Sequence, residues 1–507
     1  MAGEKLTSKS IPIGYKSNSG GLNSTFGPLT LQDNESSKLQ NVDFDRSGSV
    51  LKRNGYTTLN SSAFNSGATW TSLHWFELSS GTDYLIGTCG NKLAKMDSLD
   101  GTWDDITGSL TITAGNNNHF QWTTFLDTAL GTNSVDVPVQ WTGSGNGSAM
   151  TVPTGLTKAK YITVFNNYVF LANVTVSGTA HPSRVYWSDL KALTWTATNF
   201  VDIDRNDGQE ITGLKVLGNK LIIPKERSIH GGTFTGDTDI PFVFEKTPSH
   251  VGCAAGYTPQ DIDNGLVFFS QDGLYYFDGN NSFKVSDRVT QTLETFAKTR
   301  FPNAVTAYQK SKNRYWMSCT NSGDSTHNRC LVWDSFNNAF SVYKGHNANC
   351  YAIVFTSGEE RIYFGDYSGY VYRADTGAND NPAGTSTAID AYYYTKWFDY
   401  GDIVNQKGTP QVYIYYLNNN ATITFVYSYD FEDSDTYSQS FSTATGGSLY
   451  GTGVYDTNVY GGSGGSVKRR DLLGRGRVVR FGFKNSTISE TFRIDGIGML
   501  PHLETNI

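Results

Sequence analysis

The chain has 507 residues, too many for a single ordinary hydrophobic core, and it combines 53 glycines, 30 tyrosines and 29 phenylalanines with only 17% charged residues. This composition favours many short strands joined by tight turns, because a helical protein of this size would carry more Ala, Leu, Glu and Lys. The formal net charge of −7 opposes a general attraction to nucleic acid but leaves room for a local basic patch.

The cysteines and the apolar segments bear on the compartment in which the protein is made. Five cysteines are dispersed without a C-x-x-C pair, which argues against a disulfide framework and predicts reduced, partly buried thiols. The first ten residues lack the apolar segment of a secretory signal, and no apolar run approaches the roughly 20 residues that span a bilayer. We therefore expect a protein that is made in a cytoplasm and stays soluble or assembles there.

The chain begins with an arm and a few short hairpins. Residues 1–20 are small and polar, as in an arm draped over a surface. The stretch that follows ends at the hairpin turn Asn54-Gly55. We expect residues 1–64 to form one unit that docks on the next part of the chain.

Residues 65–378 carry a weak internal repeat. Short strands, Asx-Gly turns and an aromatic residue recur at roughly 40–50 residues, the period of propeller blades. The clearest copy runs from 264 to 279, where Asp-Gly supplies the positive-φ positions of a tight hairpin. We interpret the residues of its two turns as structural: Asp272, Gly273, Asp278 and Gly279.

The repeat predicts an all-β fold whose main part, residues 65–378, is a β-propeller of six to seven blades. Each four-stranded blade of a propeller hides its apolar faces by stacking on its neighbours. The alternative is a pair of β-sandwiches without a closed ring.

A second region follows a linker near residues 376–388. Alternating strands over 389–507 predict an antiparallel β-sandwich of ordinary domain size. A Gly/Ser/Tyr/Thr-rich loop, residues 436–466, interrupts it, and loops of this length are usually functional or become ordered on binding. We expect this loop to make contacts between subunits.

Catalytic and metal-binding motifs are absent from the sequence. It contains no H-E-x-x-H, no G-x-S-x-G and no P-loop. His346 and Cys350 have the spacing of two metal ligands but lack a second pair, so a loop histidine beside a buried cysteine is the preferred interpretation. The acidic residues at 202–208 depart from the spacing of a calcium loop, and those at 430–435 are interpreted as a solvated turn. We expect no enzyme activity, no metal and no cofactor.

One concentration of positive charge lies near the C-terminus. Its side chains could contact phosphates or an acidic partner surface: Lys468, Arg469, Arg470, Arg475, Arg477 and Arg480. The alternative is a solvated strand edge whose charge prevents pairing with another edge. Because the whole chain is acidic, a protein partner is favoured over DNA.

Short segments along the whole chain form a series. The N-terminal part contains G-G-L-N-S, L-x-D-N-E, L-Q-N-V-D-F-D-R-S-G and K-R-N-G-Y. The blades contain R-V-Y-W-S-D at 184–189 and the hairpin at 264–279, and the last region contains K-W-F-D, Y-D-F and G-R-G-R. This series resembles β-propeller tail proteins of tailed bacteriophages, namely the tail nozzle and packaged-DNA stabilisation proteins of short-tailed phages.

The resemblance implies a structural protein of the virion, assembled in the host cytoplasm into a six-fold ring at the distal tail. Such a ring attaches to a tail adaptor or portal-proximal protein, and its outside or tip holds a fibre or plug protein. Its lumen conducts and retains double-stranded DNA without reading the sequence. An acidic lumen would repel DNA and let it slide.

A rival hypothesis is a tail protein that binds a receptor or binds and degrades glycans. In such a propeller, exposed Trp and Tyr side chains on blade loops would stack on sugars. The competing use of these aromatic residues is the blade core.

Overall fold

The computed structural model describes residues 13–15, 19–444 and 465–503. Their regular secondary structure is almost entirely β-strand, with one short α-helix, α1 (Thr290–Glu294). Short 3-10 turns lie between strands, at Asn65–Gly67, Asp287–Val289, Lys298–Asn303, Lys310–Lys312 and Pro382–Gly384.

The N-terminal part contributes six short strands. They are β1 (Ile13–Tyr15), β2 (Gly21–Leu22), β3 (Glu35–Gln40), β4 (Val42–Phe44), β5 (Val50–Lys52) and β6 (Tyr56–Thr58).

Seven consecutive antiparallel sheets follow, each with four strands in simple chain order except the last. The first sheet consists of β7 (Trp70–Glu77), β8 (Asp83–Cys89), β9 (Lys92–Asp97) and β10 (Asp104–Asp105), and the second of β11 (Gln121–Phe125), β12 (Thr128–Thr132), β13 (Val139–Trp141) and β14 (Ser148–Ala149). The third consists of β15 (Leu156–Phe165), β16 (Tyr168–Val176), β17 (Thr179–Trp187) and β18 (Phe200–Asp202). The fourth consists of β19 (Lys215–Leu217), β20 (Lys220–Pro224), β21 (Ile229–Phe234) and β22 (Phe242–Lys246). The last three are built from β23 (Gln260–Ile262), β24 (Gly265–Phe269), β25 (Leu274–Phe277), β26 (Ser282–Lys284); β27 (Val305–Gln309), β28 (Arg314–Cys319), β29 (Arg329–Asp334), β30 (Ala339–Lys344); and β31 (Cys350–Thr356), β32 (Glu359–Gly365), β33 (Val371–Ala374), with β34 (Asn379–Asp380) and β35 (Thr387–Ala388) at its outer side.

These seven sheets are arranged as the blades of a propeller. The first strands of most neighbouring sheets contact one another, and β31 of the seventh sheet contacts β7 of the first, so the series returns to its start. The seventh sheet takes its fourth strand from the N-terminal part, because β6 pairs antiparallel with β33. Seven is the upper end of the predicted range, and the strand that closes the ring was not predicted.

The second region consists of two six-stranded sheets. Its C-terminal strands are β36 (Ala391–Thr395), β37 (Lys407–Leu417), β38 (Thr422–Tyr429), β39 (Tyr437–Ser442), β40 (Gly465–Asp471), β41 (Val479–Asn485) and β42 (Arg493–Leu503). One sheet has the order β4-β5-β42-β37-β40, with β1 on β42, and the other has the order β2-β3-β36-β41-β38-β39.

The N-terminal strands belong to both parts of the molecule. β1, β3 and β5 pair with C-terminal strands, and β2 and β4 pair with β3 and β5. Residues 1–64 were instead predicted to dock on the propeller and residues 389–507 to form their own sheets. The same strands also contact β30 of the sixth blade. One apolar core runs through the two sheets and into the fifth and sixth blades, and it includes Val42, Phe425, Phe483, Phe269 and Tyr315.

The predicted loop at 436–466 is partly strand. β39 occupies Tyr437–Ser442, and β40 begins at Gly465. The alternating burial of β39 explains this difference, since Phe441 packs into the core while its neighbours Ser440 and Ser442 are exposed. Residues 445–464 lie outside the described residues.

Candidate functional site

The six predicted cationic residues lie in three different settings. Lys468, Arg469 and Arg470 are on β40, the last strand of its sheet. Arg475 and Arg477 are exposed in the segment that follows β40, and Arg480 is on β41 of the other sheet. The structure therefore does not bring all six side chains into one anion site.

Arg480 was predicted to contact phosphate or a partner, and the structure assigns it a different role. Its side chain is only 4% exposed, and its guanidinium lies 4.9 Å and 4.5 Å from the ring centres of Tyr394 and Trp397. Its Nη1 is 3.1 Å from Asp433. An arginine held between two aromatic rings and a carboxylate stabilises the fold, and it is closed to an incoming anion.

The cationic residues of β40 are held along the edge of their sheet. Within the described residues, β37 is the one neighbour of β40. Arg469 pairs with Asp471 at 2.8 Å, and Arg470 donates to the carbonyl of Ser440 at 2.9 Å and lies over the ring of Phe441. This arrangement fits the second interpretation, a charged edge that resists pairing with another strand.

A mixed apolar and cationic surface lies where three loops meet at one end of the two sheets. We call it the end patch, and it consists of Ile403, Val404, Phe431, Leu473, Arg475 and Arg477. Val404 and Leu473 are 73% and 71% exposed. Arg477 links the loops, because its Nε donates to the carbonyl of Val404 at 3.3 Å and its backbone N–H donates to Asp430 at 2.6 Å.

The composition of the end patch is that of a contact surface. Exposed aromatic side chains next to arginines are enriched in protein–protein interfaces, and the same loops also present the exposed carboxylates of Asp430, Glu432 and Asp433. Sequence reasoning found the two arginines but missed the apolar residues, since the exposure of an isolated Val or Leu cannot be read from a loop sequence.

The turn residues of the 264–279 hairpin have the predicted structural roles, with one correction. Asp278 accepts the backbone N–H groups of Asn280 and Asn281 at 2.8 and 2.7 Å, and these bonds lower the pKa of its carboxyl group. Gly279 has a φ of +100°. Asp272, however, does not adopt positive φ. The loop spans four residues between Phe269 and Leu274, and the Asp272 carboxylate binds Tyr275 and Lys284 instead.

The other acidic and histidine candidates act within the fold. In the 202–208 loop, Asp207 binds the buried ammonium of Lys225 with both carboxylate oxygens, at 2.7 and 2.8 Å, and the carbonyl of Ile203 accepts from the same Nζ. Asp207 is thus paired with a lysine of the same chain. His346 is buried with Nε2 3.0 Å from the hydroxyl of Tyr351, and burial lowers its pKa.

A polar cavity lies on the propeller axis. This axial cavity has a volume of about 160 Å³ and is lined by the first strands of five blades and by the segment before β23. Its lining includes His74, His119, Trp122, Lys215 and Tyr257. No carboxylate is among the lining residues that the structure describes.

His119 lines this cavity, and one of its ring nitrogens is enclosed by the protein. The residue is 2% exposed, and its Nδ1 lies 3.2 Å from the carbonyl of Thr71, an acceptor, so Nδ1 carries the proton and Nε2 a lone pair. Among the described residues Nε2 has no hydrogen-bond partner. Burial lowers the pKa of His119 to about 4, which keeps the ring neutral at pH 7.

The K-R-N-G-Y segment, residues 52–56, holds the propeller to the two sheets. The buried guanidinium of Arg53 contacts Asp380 at 2.6 and 2.8 Å, the side-chain oxygen of Asn41 at 2.9 Å and the carbonyl of Lys344 at 3.1 Å. We call this cluster the junction. A side chain on Gly55 would overlap the carbonyl of Asn379, so glycine is required there for close approach of two backbones.

In the described part of the chain, no group of three or more His, Cys, Asp or Glu side chains is placed to hold a metal ion. All five cysteines are buried and none is in a disulfide, as the sequence predicts. None of the helices in residues 13–15, 19–444 and 465–503 is long and apolar enough to cross a membrane.

Comparison with known proteins gives only remote matches, all of them to solved structures. No family model matches the chain, and no curated protein matches it. Among solved structures, a computationally designed protein, Ika8, is 13% identical with a TM-score of 0.37, covering 62% of this chain and 98% of its own. Virginiamycin B lyase from Staphylococcus aureus is 16% identical, with a TM-score of 0.38 and coverage of 63% and 98%. An inactive variant of that lyase with quinupristin gives a TM-score of 0.39 at the same identity and coverage.

Proposed function

We propose that the protein is a structural subunit of a phage tail. In this proposal it forms a nozzle-type ring that continues the DNA channel, retains the packaged genome and anchors a fibre or plug. The observation that carries the proposal is the series of tail-protein segments. One of them, K-R-N-G-Y, supplies the junction residue Arg53 and the close-packed Gly55.

The connections between the two parts of the molecule are those expected of a structural component of a tail. The ring of blades is closed by β6, and the second region shares one apolar core with two blades. Buried ion pairs, Arg53 with Asp380 and Arg314 with Asp43, join the parts at 2.6 and 2.8 Å. A shared, close-packed core of this kind would resist relative movement of the two parts.

The axial cavity restricts where DNA could pass in such a ring. Its volume of about 160 Å³ is far too small for a double helix, whose major groove alone is about 12 Å wide. A DNA channel would therefore lie between subunits, around the axis of the ring. The net charge of −7 would favour sliding over sticking.

The end patch is our candidate for the contact with a neighbouring copy or with the tail adaptor. It combines exposed Val404, Leu473 and Phe431 with arginines that can pair with carboxylates of an acidic partner. The β40 edge has a weaker claim, since its charges already explain why it has no second neighbour among the described residues.

The decisive experiment images the purified chain with and without its tail adaptor. Six-fold rings in negative stain, with the matching mass by mass photometry, are the expected result. A chain that stays monomeric with the adaptor and binds or cleaves polysaccharide contradicts the proposal and favours the glycan-handling alternative. That alternative has less support here, because none of the ten tryptophans is among the exposed residues.

A further inference from the structure

We propose that the side chains of Lys52 and Asn485 react with each other to form a covalent amide, an isopeptide bond, with Glu490 as the proton carrier. This inference is independent of the proposed tail function, because all three residues belong to one chain and need neither a ring nor an adaptor.

The lysine and the asparagine meet between the two six-stranded sheets. Lys52 ends β5 in one sheet, and Asn485 ends β41 in the other. Nζ of Lys52 donates to Oδ1 of Asn485 at 2.7 Å. Because a carbonyl bond is about 1.23 Å long, the amide carbon Cγ lies no more than about 3.9 Å from Nζ, close to the separation of roughly 3–3.5 Å from which bound groups react.

The amide of Asn485 is oriented so that its nitrogen can leave. Nδ2 donates to Oε2 of Glu490 at 2.7 Å and to the carbonyl of Thr422 at 2.9 Å. Both partners are acceptors, so the nitrogen end of the amide faces them and the carbonyl end faces Lys52. The same Oε2 accepts the backbone N–H of Thr422 at 2.9 Å, which holds the Glu490 carboxylate against the leaving nitrogen.

The reacting pair is shielded from water. Lys52 and Asn485 are 3% and 4% exposed. Their cross-strand neighbours, Val42 and Ala391, are fully buried apolar residues. Exclusion of water prevents hydrolysis from competing with the amine and protects the amide bond once it has formed.

The surroundings of Lys52 favour the neutral amine, which is the form that attacks a carbonyl carbon. Both described partners of Nζ are neutral oxygens, the amide oxygen and the carbonyl of Thr487 at 3.3 Å. Burial, the largest cause, lowers the pKa of Lys52 to about 8, and roughly a tenth of the side chain is then neutral at pH 7. Neighbouring charges modify this pKa, because Arg53 lowers it and three carboxylates raise it: Glu490, Asp380 and Asp390.

The reaction exchanges one amine for another at the amide carbon. Nζ of Lys52 forms a bond to Cγ of Asn485, the bond from Cγ to Nδ2 breaks, and ammonia leaves. The attacking nitrogen loses one proton and the leaving nitrogen gains one. Since both nitrogens are bonded to the same carbon in the intermediate, the Glu490 carboxylate reaches both and carries the proton between them. No oxidant or other reactant is consumed.

The bond would link the two ends of the chain. The joined residues are 433 positions apart, and the whole propeller lies between them. A cross-link that closes so long a loop restricts the unfolded chain more than a local one does.

Intact-mass spectrometry of the full chain under denaturing conditions tests the inference. We expect a mass below the calculated value by that of one ammonia molecule, about 17 Da. A tryptic digest should contain one branched peptide that joins Lys52 to Asn485.

Three variants assign the roles of the residues. Lys52→Met and Asn485→Ala should each have their full calculated mass. Glu490→Gln, which keeps an accepting oxygen but cannot carry the proton, should also have its full mass while unfolding at a temperature that shows a folded protein. The matched control is Glu294→Gln, which changes an exposed glutamate and should still lose ammonia completely.

The wild-type protein alone can overturn the inference. A folded chain with its full calculated mass after incubation at pH 8 contradicts it. A loss of ammonia without the branched peptide also contradicts it, because a succinimide at an Asn-Gly step such as Asn54-Gly55 gives the same mass change. Complete cross-linking in Glu490→Gln would overturn the role of Glu490. Variants that fail to fold leave the wild-type mass and peptide to decide.

Discussion

The junction and the end patch lie at opposite ends of the same sheet and use arginine in opposite ways. β42 begins beside β5, next to the junction, and ends beside Lys407, next to the end patch. Its eleven residues separate the two by about 35 Å. At the junction the guanidinium of Arg53 is fully enclosed and every contact is within the chain, whereas Arg475 and Arg477 are exposed beside apolar side chains.

Burial therefore distinguishes the arginines that hold the fold together from those that are exposed and can contact a partner. Removal of an arginine at the junction leaves a buried carboxylate without compensation, while removal at the end patch affects a side chain that is exposed to solvent. The sequence pattern alone groups Arg480 with the exposed set, yet its side chain is enclosed.

The largest effect is expected at the junction. Arg53→Leu should lower the free energy of unfolding by about 3–5 kcal/mol, because Asp380 is then buried without its partner. The matched control is Arg361→Leu, which removes an arginine paired with the exposed Glu359 and should cost less than about 1 kcal/mol. Urea denaturation of both variants measures the difference, and similar losses would show that the junction is no stronger than a surface pair.

Acid should lower the free energy of unfolding through two buried histidines of the blades. Burial, the largest cause in each case, lowers the pKa of His119 and of His327 to about 4 from an unfolded value near 6.5. The unfolded chain therefore binds more protons between pH 6.5 and pH 4, so stability is lost as the pH falls through this window, by up to about 3 kcal/mol for each histidine.

Denaturation curves at pH 7, 6, 5 and 4 measure this loss. His327→Gln should reduce the slope of stability against pH, while His250→Gln, at an exposed position, should leave the slope as it is. A wild-type stability that stays constant down to pH 4 contradicts the buried, neutral state of these rings.

At the end patch we expect a small effect on stability and a large effect on assembly. Val404→Asp and Leu473→Asp should each change the free energy of unfolding by no more than about 0.5 kcal/mol, because both side chains are mostly exposed. Ring formation, followed by mass photometry, should be lost. Ile240→Asp is the control, since Ile240 is 62% exposed on a distant blade loop. Normal rings from both end-patch variants would remove this surface from the interface.

The smallest effect on folding is expected at the β40 edge. The double variant Lys468→Thr with Arg469→Thr should change stability by less than about 0.5 kcal/mol, since these cations are exposed. Self-association measured by light scattering should increase, because the charges that oppose edge pairing are gone. If instead the variant stays monomeric and loses a salt-sensitive affinity for DNA or heparin, the cations serve phosphate binding.

The local part of the fold was readable from the sequence, and the long-range part was not. Hairpins such as the one at 264–279 are recognisable in the sequence from Asx-Gly turns and aromatic strands, because the residues that specify a turn lie within a few positions of one another. The pairing of β6 with β33 joins residues more than 300 positions apart, and three-residue strands carry too little pattern to specify a partner.

The same limit applies to the candidate sites. The cationic residues stood out as a cluster in the sequence, but their separation into an edge, a patch and an enclosed arginine depends on which strands they join. The axial cavity left no local signal at all, because His119 and Lys215 come from blades that are adjacent to it only after the ring has closed.

Because β6 pairs with β33 in the seventh blade, the propeller cannot close until a strand more than 300 residues downstream has been synthesised. A ribosome adds about 5–20 residues per second, so β33 emerges on the order of 15–60 s after β6. During that interval the first blade lacks its contact with the seventh blade, and the ring is open. Nascent chains stalled before Val371 should therefore stay sensitive to protease, because β6 has no partner in the seventh blade until β33 has been made.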